Sequence, residues 1–144
     1  MKSRTLRTAL AALACATAVA LASPSLAATM NFKANLKGSS EVPATTSKGT
    51  GSVTATLDTT TKKLTWKGSY AGLSGPATAA HFHGPAASGK NAGVAVPISP
   101  NASPFEGSAT LTDAQIKDLE AGNWYVNVHT AANKGGEIRG QLTK

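Results

Sequence analysis

The chain has little cysteine, few aromatic residues and little charge, and each shortage argues against certain kinds of structure or function. Cys15 is the single cysteine among 144 residues, so no disulfide can form within the chain. Aromatic residues make up 5% of the sequence and charged residues 15%. The lysines are scattered among Thr, Ser and Gly without interleaved aromatics, which argues against a nucleic-acid-binding face. The seven acidic residues show no pairing typical of a general acid and base.

Motifs of common enzyme classes are also missing. The sequence contains no Gly-rich phosphate-binding loop and no nucleophile elbow. Its one long apolar run, over residues 9–22, follows three basic residues and precedes the small residues Ser25 and Ala27, which is the pattern of a secretory signal peptide. We therefore predict a signal peptide over residues 1–27, a mature domain over residues 28–144, a secreted or periplasmic location and no stable membrane anchor.

Cleavage after residue 27 has two consequences for the mature chain. It removes Cys15, which excludes a thiol mechanism and a cysteine metal site. It also removes three basic residues, leaving eleven against seven acidic ones and a net charge of +4. The alternative is that residues 12–15 form a lipoprotein cleavage box with Cys15 acylated. Against that alternative, the apolar run continues well past Cys15.

Apolar and polar residues alternate through most of the mature chain, which is the period of strands with one buried face. Gly- and Pro-containing turns separate the alternating segments. Pro97 places one of them at a sheet edge, and the small, polar residues 86–92 are typical of a surface loop. The predicted strands cover residues 31–36, 52–58, 64–70, 78–83, 94–98, 103–111, 124–129 and 137–142.

One helix is predicted, over residues 113–121. Thr112 and Gln115 have the spacing of a capping box, and Gly122 stands where a helix commonly ends in a left-handed residue. The order of elements predicts an all-β fold, an antiparallel β-sandwich with Greek-key connections and one short helix before the last two strands.

The three histidines are the candidate site. Residues two apart on a strand point to the same side, so His81 and His83 project together while Phe82 points the other way. His129 lies on the side of its strand opposite Val126 and Val128. If the strands are close, three neutral imidazoles form the minimum set of protein ligands for a catalytic zinc or a copper ion, and copper binds such nitrogens most tightly. The alternative is that His81 and His83 are polar members of an exposed strand face and that His129 merely ends its strand.

A weaker candidate is Arg139. It lies two residues from Glu137 on the last predicted strand and is predicted to bind an anion near His129. The alternative is an ordinary surface ion pair between Arg139 and Glu137.

Three segments resemble the chordin-type CHRD domain, and the resemblance extends over nearly the whole mature chain. It implies an extracytoplasmic, immunoglobulin-like sandwich, a type of domain whose biochemical role is usually unassigned in bacteria and which is associated with extracellular protein binding in animals. The segments are Ala80-His81-Phe82-His83-Gly84-Pro85, Tyr125-Val126-Asn127-Val128-His129-Thr130 and Gly136-Glu137-Ile138-Arg139-Gly140-Gln141-Leu142.

A more distant similarity is to copper-zinc superoxide dismutases, Greek-key sandwiches that also carry a His-x-His strand. That similarity implies that His81, His83 and His129 are copper ligands and that Arg139 guides an anion. The chain departs from the dismutases because it has no further histidine to bridge a second metal, no zinc-ligand set and no disulfide. A zinc site of that kind is therefore excluded.

We predict from these observations an exported, non-enzymatic CHRD-domain binding module with a three-histidine copper site at His81, His83 and His129. One alternative is a reduced, copper-only enzyme related to the superoxide dismutases. Another is a sandwich without metal that binds an extracellular protein or a polysaccharide. No nucleic-acid partner is expected.

Overall fold

The structure, a computed structural model, describes residues 28–144, so the predicted signal peptide and Cys15 lie outside the described part. The described chain is all-β with one α-helix, α1 (Asp113–Glu120), between the sixth and seventh strands, and a short 3-10 helix (Gly38–Ser40) after the first strand. Every predicted strand and the helix are confirmed, with ends shifted by at most two residues. The strands are β1 (Thr29–Lys37), β2 (Thr50–Asp58), β3 (Lys63–Ala71), β4 (Ala77–His83), β5 (Val94–Pro97), β6 (Phe105–Thr110), β7 (Tyr125–Thr130) and β8 (Ile138–Gln141).

These strands form one antiparallel sheet in the order β5-β4-β7-β8-β1-β2-β3-β6. Four strands separate β4 from β3 in this order, yet the rings of Phe82 on β4 and Trp66 on β3 are 5.0 Å apart. The sheet must therefore bend until its two halves face each other across the core. The all-β antiparallel architecture and the edge position of β5 are confirmed, whereas the immunoglobulin-like Greek-key arrangement stays a prediction.

The core follows from the alternation in the sequence. Phe32, Ala34 and Leu36 on β1 are buried, and their polar neighbours face outwards. Trp66 and Trp124 supply the largest side chains of the same core cluster, and the Phe82 ring centre lies 5.0 Å from that of Trp66 and 6.1 Å from that of Trp124. The alternation over residues 94–98 predicts that Val94, Val96 and Ile98 share one buried face. Val96 and Ile98 are buried, but the prediction is wrong for Val94, which lies on the edge strand β5 and is 55% exposed. An edge strand has a neighbouring strand on one side only, so the residue at its end is less shielded from solvent.

The helix α1 begins as its capping pattern predicts. The Thr112 hydroxyl accepts from the Gln115 backbone amide at 3.2 Å, and the Gln115 side chain accepts from the Thr112 amide at 2.9 Å. Gly122 follows the helix with a φ of 75°, in the left-handed region. Leu119 is the fully buried residue that packs α1 on the sheet. No helix within residues 28–144 combines the length and apolarity needed to cross a membrane.

We expect Thr112→Ala to lower the free energy of unfolding by about 1 kcal/mol, because the variant leaves the Gln115 amide without its side-chain acceptor. Urea unfolding of the mature protein measures this loss. Thr112→Ser keeps the hydroxyl and is the matched control, so it should retain most of the stability. Equal losses in both variants would contradict a capping role.

The face of β4, β7 and β8 that points away from the core is partly covered by loops. The predicted surface loop over residues 86–92 is exposed at residues 87–91. It also packs on the sheet, because Ala86 is buried and the Lys90 carbonyl and the Asn91 side chain accept hydrogen bonds from Arg139 on β8. Glu41, in the loop after β1, is also buried. This loop-covered face holds all three histidines.

Candidate metal centre

Strand pairing brings the three predicted histidines to one point. β4 and β7 are antiparallel neighbours with His81 opposite Asn127 and Ala79 opposite His129, so His129 is a diagonal neighbour of His81. One ring nitrogen from each of His81, His83 and His129 lies within 4.8 Å of the others. His81 and His129 are half-buried, and His83 is buried. The side predicted for these residues is the side on which they lie.

The closest pair fits a shared ion. His81 Nδ1 and His129 Nε2 are 3.1 Å apart. Two nitrogens that each lie about 2.0 Å from one ion are separated by about 2.8 to 3.3 Å for square or tetrahedral angles. The two nitrogens therefore have a separation suited to one metal ion without movement of the backbone.

Backbone carbonyls orient two of the rings. The Lys134 carbonyl accepts from His129 Nδ1 at 2.9 Å, and the Ala92 carbonyl accepts from His83 Nδ1 at 3.0 Å. A hydrogen on Nδ1 leaves the lone pair on Nε2, because a neutral imidazole carries only one hydrogen. Such carbonyl contacts are common around metal-binding histidines, where they fix the ring and its tautomer.

The local environment favours neutral rings. Burial lowers the pKa of His81, and the neighbouring His129 and His83 lower it further. Burial also lowers the pKa of His83, although its bonds to Ala92 and Asn127 act in the opposite direction. A metal binds the neutral ring, so both shifts keep these two histidines in the binding form at neutral pH.

A family model described as the CHRD domain matches residues 32–142, which is most of the chain and includes all three histidines. The chain belongs to the CHRD domain family. No curated protein and no solved structure matches it significantly. The resemblance in the three sequence segments is thereby confirmed at the level of the family.

In this CHRD domain an aromatic ring and a guanidinium group stack next to the histidines. The Tyr125 ring is stacked on His83 with a centroid distance of 4.8 Å and an angle of 3°. The Arg139 guanidinium carbon lies 3.4 Å from the centre of the same Tyr125 ring. Stacking of this kind restricts the motion of the His83 ring, which helps to hold the cluster.

Arg139 lies near the site but is 2% exposed. Its guanidinium donates to the Asn91 side chain at 2.8 Å and to the Lys90 carbonyl. An anion would have to displace these partners, so anion binding at Arg139 stays a prediction. The alternative of a surface ion pair with Glu137 is wrong because both side chains are buried.

Glu41 is a buried residue that no sequence pattern selects. Burial raises its pKa to about 7, although Arg139, the Val42 amide and the Asn127 side chain act to lower it. Its Oε1 atom has no hydrogen-bond partner among residues 28–144. A lone glutamate in a polar, Pro-containing loop carries no signal of burial in the sequence.

Glu137 is the second overlooked carboxylate. Burial alone would raise its pKa, but the hydrogen bonds from Ser74, Thr130 and Ser47 outweigh burial and lower the pKa to about 2. Ser47 Oγ and the Ser74 amide each donate at 2.7 Å, and Asn133 Nδ2 donates at 3.1 Å. These donors come from three different loops and from β7. Their hydrogen bonds to the carboxylate hold the turn after β7 in place, and that turn carries Lys134, whose carbonyl accepts from His129.

Proposed function

We propose that this CHRD domain is an exported, non-enzymatic binding module, an immunoglobulin-like Greek-key sandwich that holds one copper ion between His81, His83 and His129. The observation that carries the proposal is the convergence of three imidazoles from two paired strands, with the closest nitrogens 3.1 Å apart. The signal-peptide pattern over residues 1–27 supports export.

The donor set favours copper over other first-row ions. All three candidate ligands are imidazole nitrogens, and Cu(II) binds such sites more tightly than the other divalent ions of the row. No thiol is present in residues 28–144 to favour a softer ion. His81 and His129 are only partly buried, which supports entry of an ion from solvent.

The test is a Cu(II) titration of the mature protein followed by electron paramagnetic resonance. We expect one ion per chain and a type-2 spectrum with hyperfine coupling to nitrogen. A spectrum of free aqueous copper throughout the titration would overturn the proposal. Superoxide consumption above free-copper controls would instead favour the reduced dismutase-like enzyme, and binding of an extracellular protein or polysaccharide without copper would favour the metal-free module.

A further inference from the structure

Two open clefts lie side by side on the outer surface of the sheet, in the half formed by β1, β2, β3 and β6. One has a volume of about 400 Å³ and the other of about 380 Å³, and Thr54 and Thr56 on β2 line both. Strand pairing places Thr54 directly between Lys33 on β1 and Lys67 on β3. The clefts therefore form one continuous surface, the cleft face, which consists of the exposed residues of these four strands that line them, together with Lys144.

Most of the net charge of the domain is concentrated on the cleft face. Four lysines line the two clefts, against the single acidic residue Glu106: they are Lys33, Lys63, Lys67 and Lys144. Their side chains contribute a net +3 of the +4 that residues 28–144 carry, which leaves +1 for the rest of the domain. Neighbouring strands are about 4.8 Å apart, so the Cα atoms of Lys33 and Lys67 are separated by about 10 Å.

The two acidic residues near these lysines leave their charge available. Glu106 lies 3.9 Å from Lys67, and both side chains are exposed, so water and salt screen this pair. Asp58 pairs in register with Lys63 but lines neither cleft. Its Oδ1 atom accepts from two backbone amides of the turn between β2 and β3, at 2.8 Å and 3.0 Å. The cleft face therefore attracts anions.

The remaining side chains of the cleft face indicate which anion fits. Thr54, Thr65, Ser108 and Asn31 are exposed there, and their hydroxyl and amide groups both donate and accept hydrogen bonds. Within residues 28–144, Val94 is the one exposed large hydrophobic side chain, and it lies on β5 in the other half of the sheet. The face thus offers no apolar anchor for the centre of a protein interface and no exposed aromatic ring for stacking the bases of a nucleic acid.

We propose that the cleft face binds an acidic polysaccharide, a chain of sugars that carry carboxylate groups. The lysines bind the carboxylates through charge-assisted hydrogen bonds, and the threonine and serine hydroxyls exchange hydrogen bonds with those of the sugars. This binding goes beyond the proposed copper function and does not depend on it, because the histidines lie on β4 and β7 in the other half of the sheet.

The test measures binding of alginate, a polyuronate, to the mature protein by isothermal titration calorimetry, with the neutral polysaccharide dextran as control. We expect alginate to bind and dextran not to bind. The affinity for alginate should fall when the ionic strength is raised from about 0.05 M to about 0.5 M, because salt screens interactions between exposed charges.

A pair of double variants locates the binding. Lys33→Gln with Lys67→Gln removes the charges on both sides of Thr54. One exposed ion pair changes an equilibrium constant by up to about fivefold, so this variant should bind alginate about tenfold more weakly. Lys48→Gln with Lys117→Gln is the matched control, because it removes the same net charge from exposed lysines outside the cleft face. It should keep most of the affinity.

Three results would overturn the proposal. The first is no binding of alginate by wild type at low salt. The second is an equal loss in the two double variants, because net charge alone would then explain the binding. The third is a single-stranded oligonucleotide that binds as tightly as alginate, which would indicate a surface for any polyanion.

Copper titration of the same proteins separates this proposal from the proposed function. Both double variants should bind Cu(II) like wild type, since neither changes a histidine or a residue beside one. Alginate binding without copper binding would refute the copper site and leave the polysaccharide proposal standing. Copper binding without alginate binding would do the reverse.

Discussion

Glutamine in place of Glu137 is expected to lower the free energy of unfolding by about 2 to 4 kcal/mol, because the variant removes a buried charge whose partners all donate to it. Glutamine has nearly the same volume, so the loss reports the hydrogen bonds and not a cavity. The Ser74 backbone amide donates to one carboxylate oxygen and cannot accept, and the other oxygen accepts from the side chains of Ser74, Thr130 and Asn133. A glutamine amide nitrogen in either position would therefore meet groups that donate in the wild type. Urea unfolding of the mature protein measures the effect.

Glu106→Gln is the matched control. Glu106 is an exposed carboxylate on β6 that lies 3.9 Å from Lys67, and its replacement should change stability by less than about 0.5 kcal/mol. If Glu137→Gln and Glu106→Gln had the same free energy of unfolding, the hydrogen bonds of the Glu137 carboxylate would not be stabilising the loops.

Acid should remove the contribution of Glu137 in a defined range. Its pKa is about 2 in the folded protein against an ordinary value of 4.5. The folded state binds this proton less readily than the unfolded state, so the stabilisation is complete above pH 4.5 and declines as the pH falls towards 2. The difference in stability between wild type and Glu137→Gln should therefore shrink over that range.

Alanine at His129 is expected to lower Cu(II) affinity on the order of 100-fold or more, since loss of a direct ligand should exceed the 10- to 100-fold effects of residues behind the ligands. His81→Ala should have an effect of the same size, because these two rings form the pair 3.1 Å apart. Both variants should also change the nitrogen hyperfine pattern of the Cu(II) spectrum.

Thr56→Ala serves as the control for these variants because Thr56 lies on β2, outside the strands that carry the histidines, and pairs through its hydroxyl with the Asn31 side chain. It should bind copper like wild type. An unchanged spectrum in His129→Ala would exclude His129 as a ligand, even if copper binding elsewhere on the protein continued.

Much of the architecture was predictable because the information is local. Alternation with a period of two placed Phe82, Val126 and Val128 in the core and the histidines on the opposite face. The capping box and Gly122 marked both ends of α1 within one residue. Side-chain direction along a strand depends only on the backbone of that strand, so no knowledge of its neighbours was needed.

The register between β4 and β7 was not predictable from local patterns. It decides that His129 is a diagonal neighbour of His81, and a shift of a few residues would separate the rings. For the same reason, the sequence left both interpretations of the histidines open. The exposed-face interpretation also missed that His83 is buried, with its Nδ1 3.0 Å from the Ala92 carbonyl oxygen.

The sequence by itself determined the strands, the helix, the sides of the strands and the types of side chain available for chemistry. Only the tertiary structure decided that the histidines converge, that Asn127 Oδ1 lies 3.0 Å from His83 Nε2, and that Glu41 and Glu137 are buried with opposite changes in pKa. The physical reason is that burial and hydrogen bonding of these groups depend on loops far away in sequence, such as the 90 residues between Ser47 and Glu137. Alternation within one strand contains no information about such partners.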